Sequence, residues 1–250
     1  MCSSPDYYVN VKNDPKGELT DQFTVCNSLF VDYVTSIELF LALYKENGEH
    51  WLSYFMKEIR NVDDFTEQIT LIVNDKHTFF WRSGIAVKPH SWYHACFGLD
   101  TVSGQLRIVI NGITVVDEVI PYLINSKDTK PKSLAHHIGM FTGHHLEGMW
   151  YQAHNTVTNM QVFSNQLTVQ VMKSITEGEC VDGKTREGDY LAWSDMEWEY
   201  FGNINEGTVD MDELCDNEKF STILFTAGFR TWSKCMYFCD FVRLHIHIIS

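Results

Sequence analysis

The sequence predicts an all-β protein built as a two-sheet antiparallel sandwich with one short helix, and three observations carry that expectation. Short runs rich in Val, Ile, Leu and Phe recur between residues 23 and 163. Clusters of Gly, Asn, Asp and Ser separate them, as expected of short strands joined by turns. At 105–119, apolar residues flank Asn111-Gly112, the dipeptide that supplies the two positive φ angles of a type I′ hairpin turn. Composition agrees: with 44% hydrophobic and 14% aromatic residues among 250, a disordered chain would leave too much apolar surface in water.

Taken in chain order, 23–34 and 37–44 are apolar runs expected as strands, followed by 69–73 and 78–81 with Asn74-Asp75-Lys76 as the turn between them. Asp100-Thr101-Val102-Ser103-Gly104 is the turn entering the hairpin. There Leu106, Ile108 and Ile110 alternate with Gln105, Arg107 and Val109, and Ile113, Val115 and Val116 lead the chain back. Further strands are expected over 134–141 and 158–163. Leu167, Val171 and Ile175 instead stand four apart, a helical spacing. Past Gly178 the composition shifts to a charged loop over 180–188 and then to segments holding Trp193, Trp198 and Tyr200, aromatic enough to dock on the sandwich. A strand over 220–225 and a short helix over 233–242 follow. The expected division is a sandwich over 1–178, an acidic linker or docked subdomain over 179–214, and a C-terminal piece over 215–250.

Nineteen basic side chains against 33 acidic ones give a net charge of −14, and residues 177–218 hold −12 of it, with 14 acidic residues against Lys184 and Arg186. There is no basic surplus to neutralise phosphates, which argues against nucleic acid as a partner. No apolar run approaches the roughly 18–20 residues of a membrane-spanning helix. The start, Met1-Cys2-Ser3-Ser4-Pro5, has neither the basic nor the apolar stretch of a signal peptide. Seven cysteines is nonetheless many for a reducing compartment, and the odd number leaves one over. The expected setting is extracellular or secreted, in a fragment without its signal sequence; the alternative is a cytosolic protein with free thiols.

Three stretches, in order, carry a resemblance. Phe23-Thr24-Val25-Cys26 lies near the start. Trp92-Tyr93-His94-Ala95-Cys96-Phe97 is followed by Asp100-Thr101-Val102-Ser103-Gly104 and the Asn-Gly hairpin. Ile138-Gly139 precedes a glycine-containing loop and then Val157-Thr158-Asn159-Met160-Gln161-Val162-Phe163. Across roughly 15–178 this resembles the pentraxins, and more broadly the laminin-G-like and concanavalin A-like sandwiches, and implies a jelly-roll topology. Cys215, then Cys235-Met236-Tyr237-Phe238-Cys239, is similar to the opening of a C-type lectin-like domain, without that family's glycine-rich continuation after Phe241.

The resemblance implies a disulfide between Cys26 and Cys96, the alternative being two buried thiols. It also implies two calcium ions that hold phosphocholine or a similar ligand. Asn61, Asp63 and Asp64 stand at the first matching place, with oxygens of the kind a hard cation wants. The second, 140–147, holds Glu147 as its one carboxylate, so the calcium set is incomplete and the alternative of solvated turn residues stays open. Neither a hydrolase nor a nucleotide signature stands out. The nearest pattern to paired glycosidase carboxylates is Asp195, Glu197 and Glu199, which would share a face if that segment were a strand. Trp81, Tyr122, Trp150 and Tyr151 are the candidate ligand-facing aromatics, each also readable as a core residue. The expectation is a non-catalytic recognition module for carbohydrate, a phospholipid headgroup or a protein surface. A spacer or protein-interaction domain with no small ligand is the alternative.

Overall fold

The computed structural model describes residues 8–11, 21–31, 37–44, 50–61, 64–73, 77–85, 88, 90–124, 133–137, 140–141, 151–152, 155–178, 187–201, 204–210 and 221–227. Among them the strands are β1 (Tyr8–Val11), β2 (Gln22–Val31), β3 (Ile37–Tyr44), β4 (His50–Asn61), β5 (Asp64–Val73), β6 (His77–Arg82), β7 (Ser91–Asp100), β8 (Gln105–Ile110) and β9 (Ile113–Val119). They continue with β10 (Ser133–His137), β11 (Met140–Phe141), β12 (Tyr151–Gln152), β13 (Asn155–Phe163), β14 (Trp198–Phe201), β15 (Ile204–Asp210) and β16 (Ser221–Ala227). One helix, α1 (Val169–Thr176), follows β13.

Two seven-stranded sheets form. The first runs β14-β1-β10-β3-β4-β5-β6, the second β15-β16-β13-β2-β7-β8-β9, and β11 pairs with β12 apart from both. The strand pairings are antiparallel throughout. The core lies between the sheets, because alternation sends every second side chain inward. Phe23, Val25, Leu29 and Val31 of β2 and Tyr93, Ala95, Phe97 and Leu99 of β7 meet Leu52, Ile69, Leu71 and Val73 of the first sheet.

The outer face of the second sheet is covered as well. Cys26, Cys96, Val109 and Phe163 pack beneath Met172 of α1, with Leu167, Val169 and Ile175 against them. The helix begins where Thr168 turns extended, its hydroxyl accepting the Val171 N–H. The hairpin turn is as expected, with Asn111 at φ 46° and Gly112 at φ 74°. The Thr176 hydroxyl accepts the Gly112 N–H at 3.0 Å and so ties the helix end to that turn.

Several boundaries differ from the sequence reading. The strand expected over 69–73 begins at Asp64, and β4 was not anticipated. Where one strand was expected over 134–141, β10 joins the first sheet and β11 pairs instead with β12. Asp195 closes a 3-10 turn, Trp193–Asp195, ahead of β14, so Asp195, Glu197 and Glu199 do not lie along one strand as a glycosidase pattern requires. The expected 220–225 strand is β16, paired with β13 and β15. The turn Asn74-Asp75-Lys76 and the helix over 233–242 lie outside the described residues.

The segment after 187 is fastened to β13. Val162 N–H donates to the Leu191 carbonyl at 2.9 Å, and the Tyr190 and Leu191 N–H groups both donate to the Val162 carbonyl. The Gly188 N–H donates to Gln161 Oε1 at 2.9 Å. Tyr190, Leu191 and Met196 are thereby buried in the core, with Trp193 and Trp198 packed against it. Asp189 accepts the Ser164 N–H and hydroxyl, each at 2.8 Å. Partial burial would raise its carboxyl, but those bonds outweigh it and hold the group below the usual carboxylate range.

Candidate functional site

Among the described residues, a row of aromatic rings lies on the seam where the edge strands of the two sheets approach each other. Strand β6 is the last strand of the first sheet and β9 the last of the second. Alternation along β6 places His77, Phe79 and Trp81 on one face, and Phe79 and Trp81 pack partly against the core. The 3-10 turn Pro121–Leu123 follows β9. Its middle residue, Tyr122, is exposed and overlies the start of that row.

Four rings line up along the seam. Tyr122 and His77 have ring centroids 3.7 Å apart, Phe79 and Tyr122 6.4 Å, and Phe79 and Trp81 6.2 Å with planes 21° apart. The Trp81 indole N–H donates to the Glu118 carboxylate of β9, linking the two edges. Phe80, 56% exposed, and Val119, 52% exposed, lie on the opposite faces of the same two strands. Such a row offers ring faces to the C–H side of a sugar and a carboxylate to its hydroxyls, the combination that fixes orientation in a mostly apolar groove.

The sequence singled out Trp81 and Tyr122 but not His77, Phe79 or Glu118. The period-two spacing of His77, Phe79 and Trp81 was a usable signal. The approach of Glu118 was not, since a link across 37 residues depends on which strands end their sheets. Tyr151 lies in β12, and Trp150 is outside the described residues. Of the calcium residues, Asn61 and Asp64 are register partners where β4 meets β5, while Asp63 and Glu147 lie outside the described residues. Glu147 is the single carboxylate over 140–147. Among the described residues no three His, Cys, Asp or Glu side chains gather into a metal-binding group.

The structure joins Cys26 to Cys96, which are register partners on β2 and β7 with Cα atoms 4.1 Å apart. Two residues along the same face, the Ser28 hydroxyl and His94 Nδ1 are 2.7 Å apart. Burial lowers the His94 pKa from its ordinary 6.5. The folded state then binds fewer protons than the unfolded one. The stability linked to His94 is complete above pH 6.5 and is lost as pH falls through the lower folded value. Denaturant midpoints measured between pH 7.5 and pH 4 should decline less for His94→Gln than for the parent; parallel curves would show that His94 carries no such linkage.

The sequence matches no protein-family model and no curated protein. Solved structures do match. A heptameric SAP-like pentraxin from Limulus polyphemus superposes over 92% of this chain and 94% of its own, with a TM-score of 0.61 at 13% identity. The full extracellular region of zebrafish Gpr126/Adgrg6 matches over 78% of this chain at 12% identity and a TM-score of 0.50, this chain spanning 25% of that one. At such identities the likeness is one of fold. The chain is an all-β, two-sheet antiparallel jelly-roll sandwich of the pentraxin, concanavalin A-like kind.

Proposed function

We propose that this protein is a non-catalytic extracellular recognition module that binds carbohydrate along the seam between β6 and β9. One observation carries the reading: the continuous ring row His77–Tyr122–Phe79–Trp81, closed by Glu118. The Cys26–Cys96 bond supports an oxidising, extracellular setting. The pentraxin-type fold supports recognition rather than turnover, and with Asp195 in a 3-10 turn the three carboxylates Asp195, Glu197 and Glu199 do not line up along one strand. Phospholipid headgroups and protein surfaces are the other ligand classes this reading admits. The lectin-like start over 215–250 draws no support from β16, a strand of the sandwich sheet. A second reading, a spacer or protein-interaction domain without a small ligand, is favoured by the single carboxylate in the second calcium segment.

The test is a glycan and phospholipid-headgroup array probed with the monodisperse protein at about 1 mM calcium, in the range of weak extracellular sites, and again with chelator. Glycan retention is expected under both conditions and should fall about tenfold in Trp81→Ala, the worth of one well-placed aromatic contact. Retention abolished by chelator would place the ligand on calcium rather than on the seam. Silence in both arms would sink the carbohydrate reading and leave the spacer.

A further inference from the structure

The α1-bearing face of the second sheet holds a polar row that the fold does not require. Thr158 of β13 opposes Ser28 of β2, and Ser28 opposes His94 of β7. Directly opposed residues of antiparallel strands share a face, so the three side chains lie in one line across three strands. Asn111, at the adjoining turn, continues it: its side-chain oxygen accepts the His94 N–H at 2.8 Å. On one side the row borders the disulfide and α1. On the other it borders Phe30 and Trp92, register partners with ring centroids 5.3 Å apart. The Trp92 plane lies within 8° of the His94 ring.

One member stands out. Thr158 is fully buried, and among the described residues its hydroxyl oxygen is the buried side-chain atom that has no hydrogen-bond partner. Leaving such a group unpaired costs stability, and isoleucine or valine would fill the place without that cost. The Ser28 hydroxyl and His94 Nδ1 share a hydrogen bond. Where the neutral ring carries its proton on Nε2, Ser28 donates and Nε2 is a donor; where it carries it on Nδ1, Ser28 accepts and Nε2 is an acceptor, so either way Nε2 can bond a hydroxyl. No charged side chain belongs to the row. It consists of hydroxyls, an imidazole and an amide beside an aromatic pair, and Phe30, Trp92 and His94 are half-buried, so this end of the row is partly exposed to solvent.

We propose that the row Thr158–Ser28–His94–Asn111, with Phe30 and Trp92 beside it, is a second binding site, for a small uncharged ring bearing several hydroxyl groups. The ring lies against Trp92, and its hydroxyls bond with His94 Nε2, Asn111 and Thr158. A phosphate or carboxylate finds no compensating cation there and is excluded by the desolvation of its charge. The site shares no residue with the seam, so either can fail without the other.

The experiment uses isotope-labelled full-length protein titrated with methyl β-galactoside, methyl α-glucoside and myo-inositol, followed by NMR at the Trp92 indole and His94 imidazole. At least one probe is expected to shift both signals while leaving the Trp81 indole in place. Thr158→Val should raise the thermal midpoint of the free protein, because the unpaired hydroxyl is gone, and should weaken that probe about three- to tenfold, the worth of one hydrogen bond. Trp92→Ala should abolish the shifts at His94. The proposal is overturned if no probe moves Trp92 and His94, or if the shifts survive Thr158→Val undiminished. It is equally overturned if Thr158→Val lowers the midpoint or leaves it unchanged, since the hydroxyl is then already satisfied.

Discussion

Replacing Gly188 with alanine is expected to lower stability by at least ~3 kcal/mol, more than most overpacking substitutions cost. In thermal unfolding that is a fall of roughly 6–12 °C for a chain of this size. The obstacle is room, not backbone conformation. A methyl group at this position would come 2.3 Å from the Val162 carbonyl oxygen, 2.6 Å from the Val162 nitrogen and 2.6 Å from the Leu191 carbonyl oxygen. All three are backbone atoms, and two of them make the Val162–Leu191 hydrogen bond that anchors the segment. None can swing aside as a side-chain tip would. Relief requires the 187–196 segment to lift from β13, and then the Gly188 bond to Gln161, the Ser164 bonds to Asp189 and the burial of Tyr190, Leu191 and Met196 are lost together. Strand β14 begins two residues past Met196 and holds β1 on its outer side, so the loss extends to the edge of the first sheet. Ser164→Ala removes only exposed bonds and provides the comparison, with a cost near or below about 1 kcal/mol. A Gly188→Ala midpoint within a degree of the parent would show that the close approach does not govern how this segment docks.

How much of this was legible in the sequence varied with the range of the forces involved. The hairpin β8–β9 could be read because its determinants are local: alternation on both strands and a turn whose φ angles Asn111 and Gly112 adopt readily. The helix could be read for the same reason, from the spacing of Leu167, Val171 and Ile175, although Met172 rather than Val171 is the helix residue buried against the sheet, with Leu167 and Ile175 beside it. Strand β4 was missed because Lys57, Glu58 and Arg60 break the apolar pattern in its second half, while ladder bonds to β3 and β5 hold it extended. Strands β14 and β15 fall in the acidic stretch. Glu199 in the first and Glu206 and Gly207 in the second are poor strand formers, and pairing with β1 and β16 overrides their preference. The seam depended on something no local rule contains, namely that β6 and β9 each end a sheet on the same side of the sandwich. Trp81 could therefore be named as a candidate while its partner Glu118 could not. In the polar row, His94 stood inside the stretch that carried the family resemblance, but its neighbours Ser28 and Thr158 became visible only once strand order and register set them in line.

Removal of the disulfide by Cys26→Ala with Cys96→Ala is expected to destabilise the protein by about 4 kcal/mol in the chain-entropy model, since the bond closes a 70-residue span. The corresponding fall in melting temperature is roughly 8–16 °C. The bond joins neighbouring strands that already have a complete ladder, with ten register pairs between β2 and β7, so its removal leaves the native topology intact and acts mainly by enlarging the unfolded ensemble. Its position adds a kinetic expectation. Cys26 is 3% exposed and Cys96 is fully buried, both beneath Met172 of α1. A thiolate cannot reach either sulfur without displacing the helix, and exchange depends on that access. Native protein should therefore resist mild reductant, and sensitivity should rise when α1 is loosened. Thr168→Ala removes the helix N-cap at a cost of about 1 kcal/mol, which would speed reduction about fivefold if local opening of α1 is the route. Rapid reduction of the parent without denaturant would show that the bond is reached some other way. A reduction rate that tracks global unfolding, unchanged by Thr168→Ala beyond its effect on overall stability, would show that α1 and the sheet beneath it open only together.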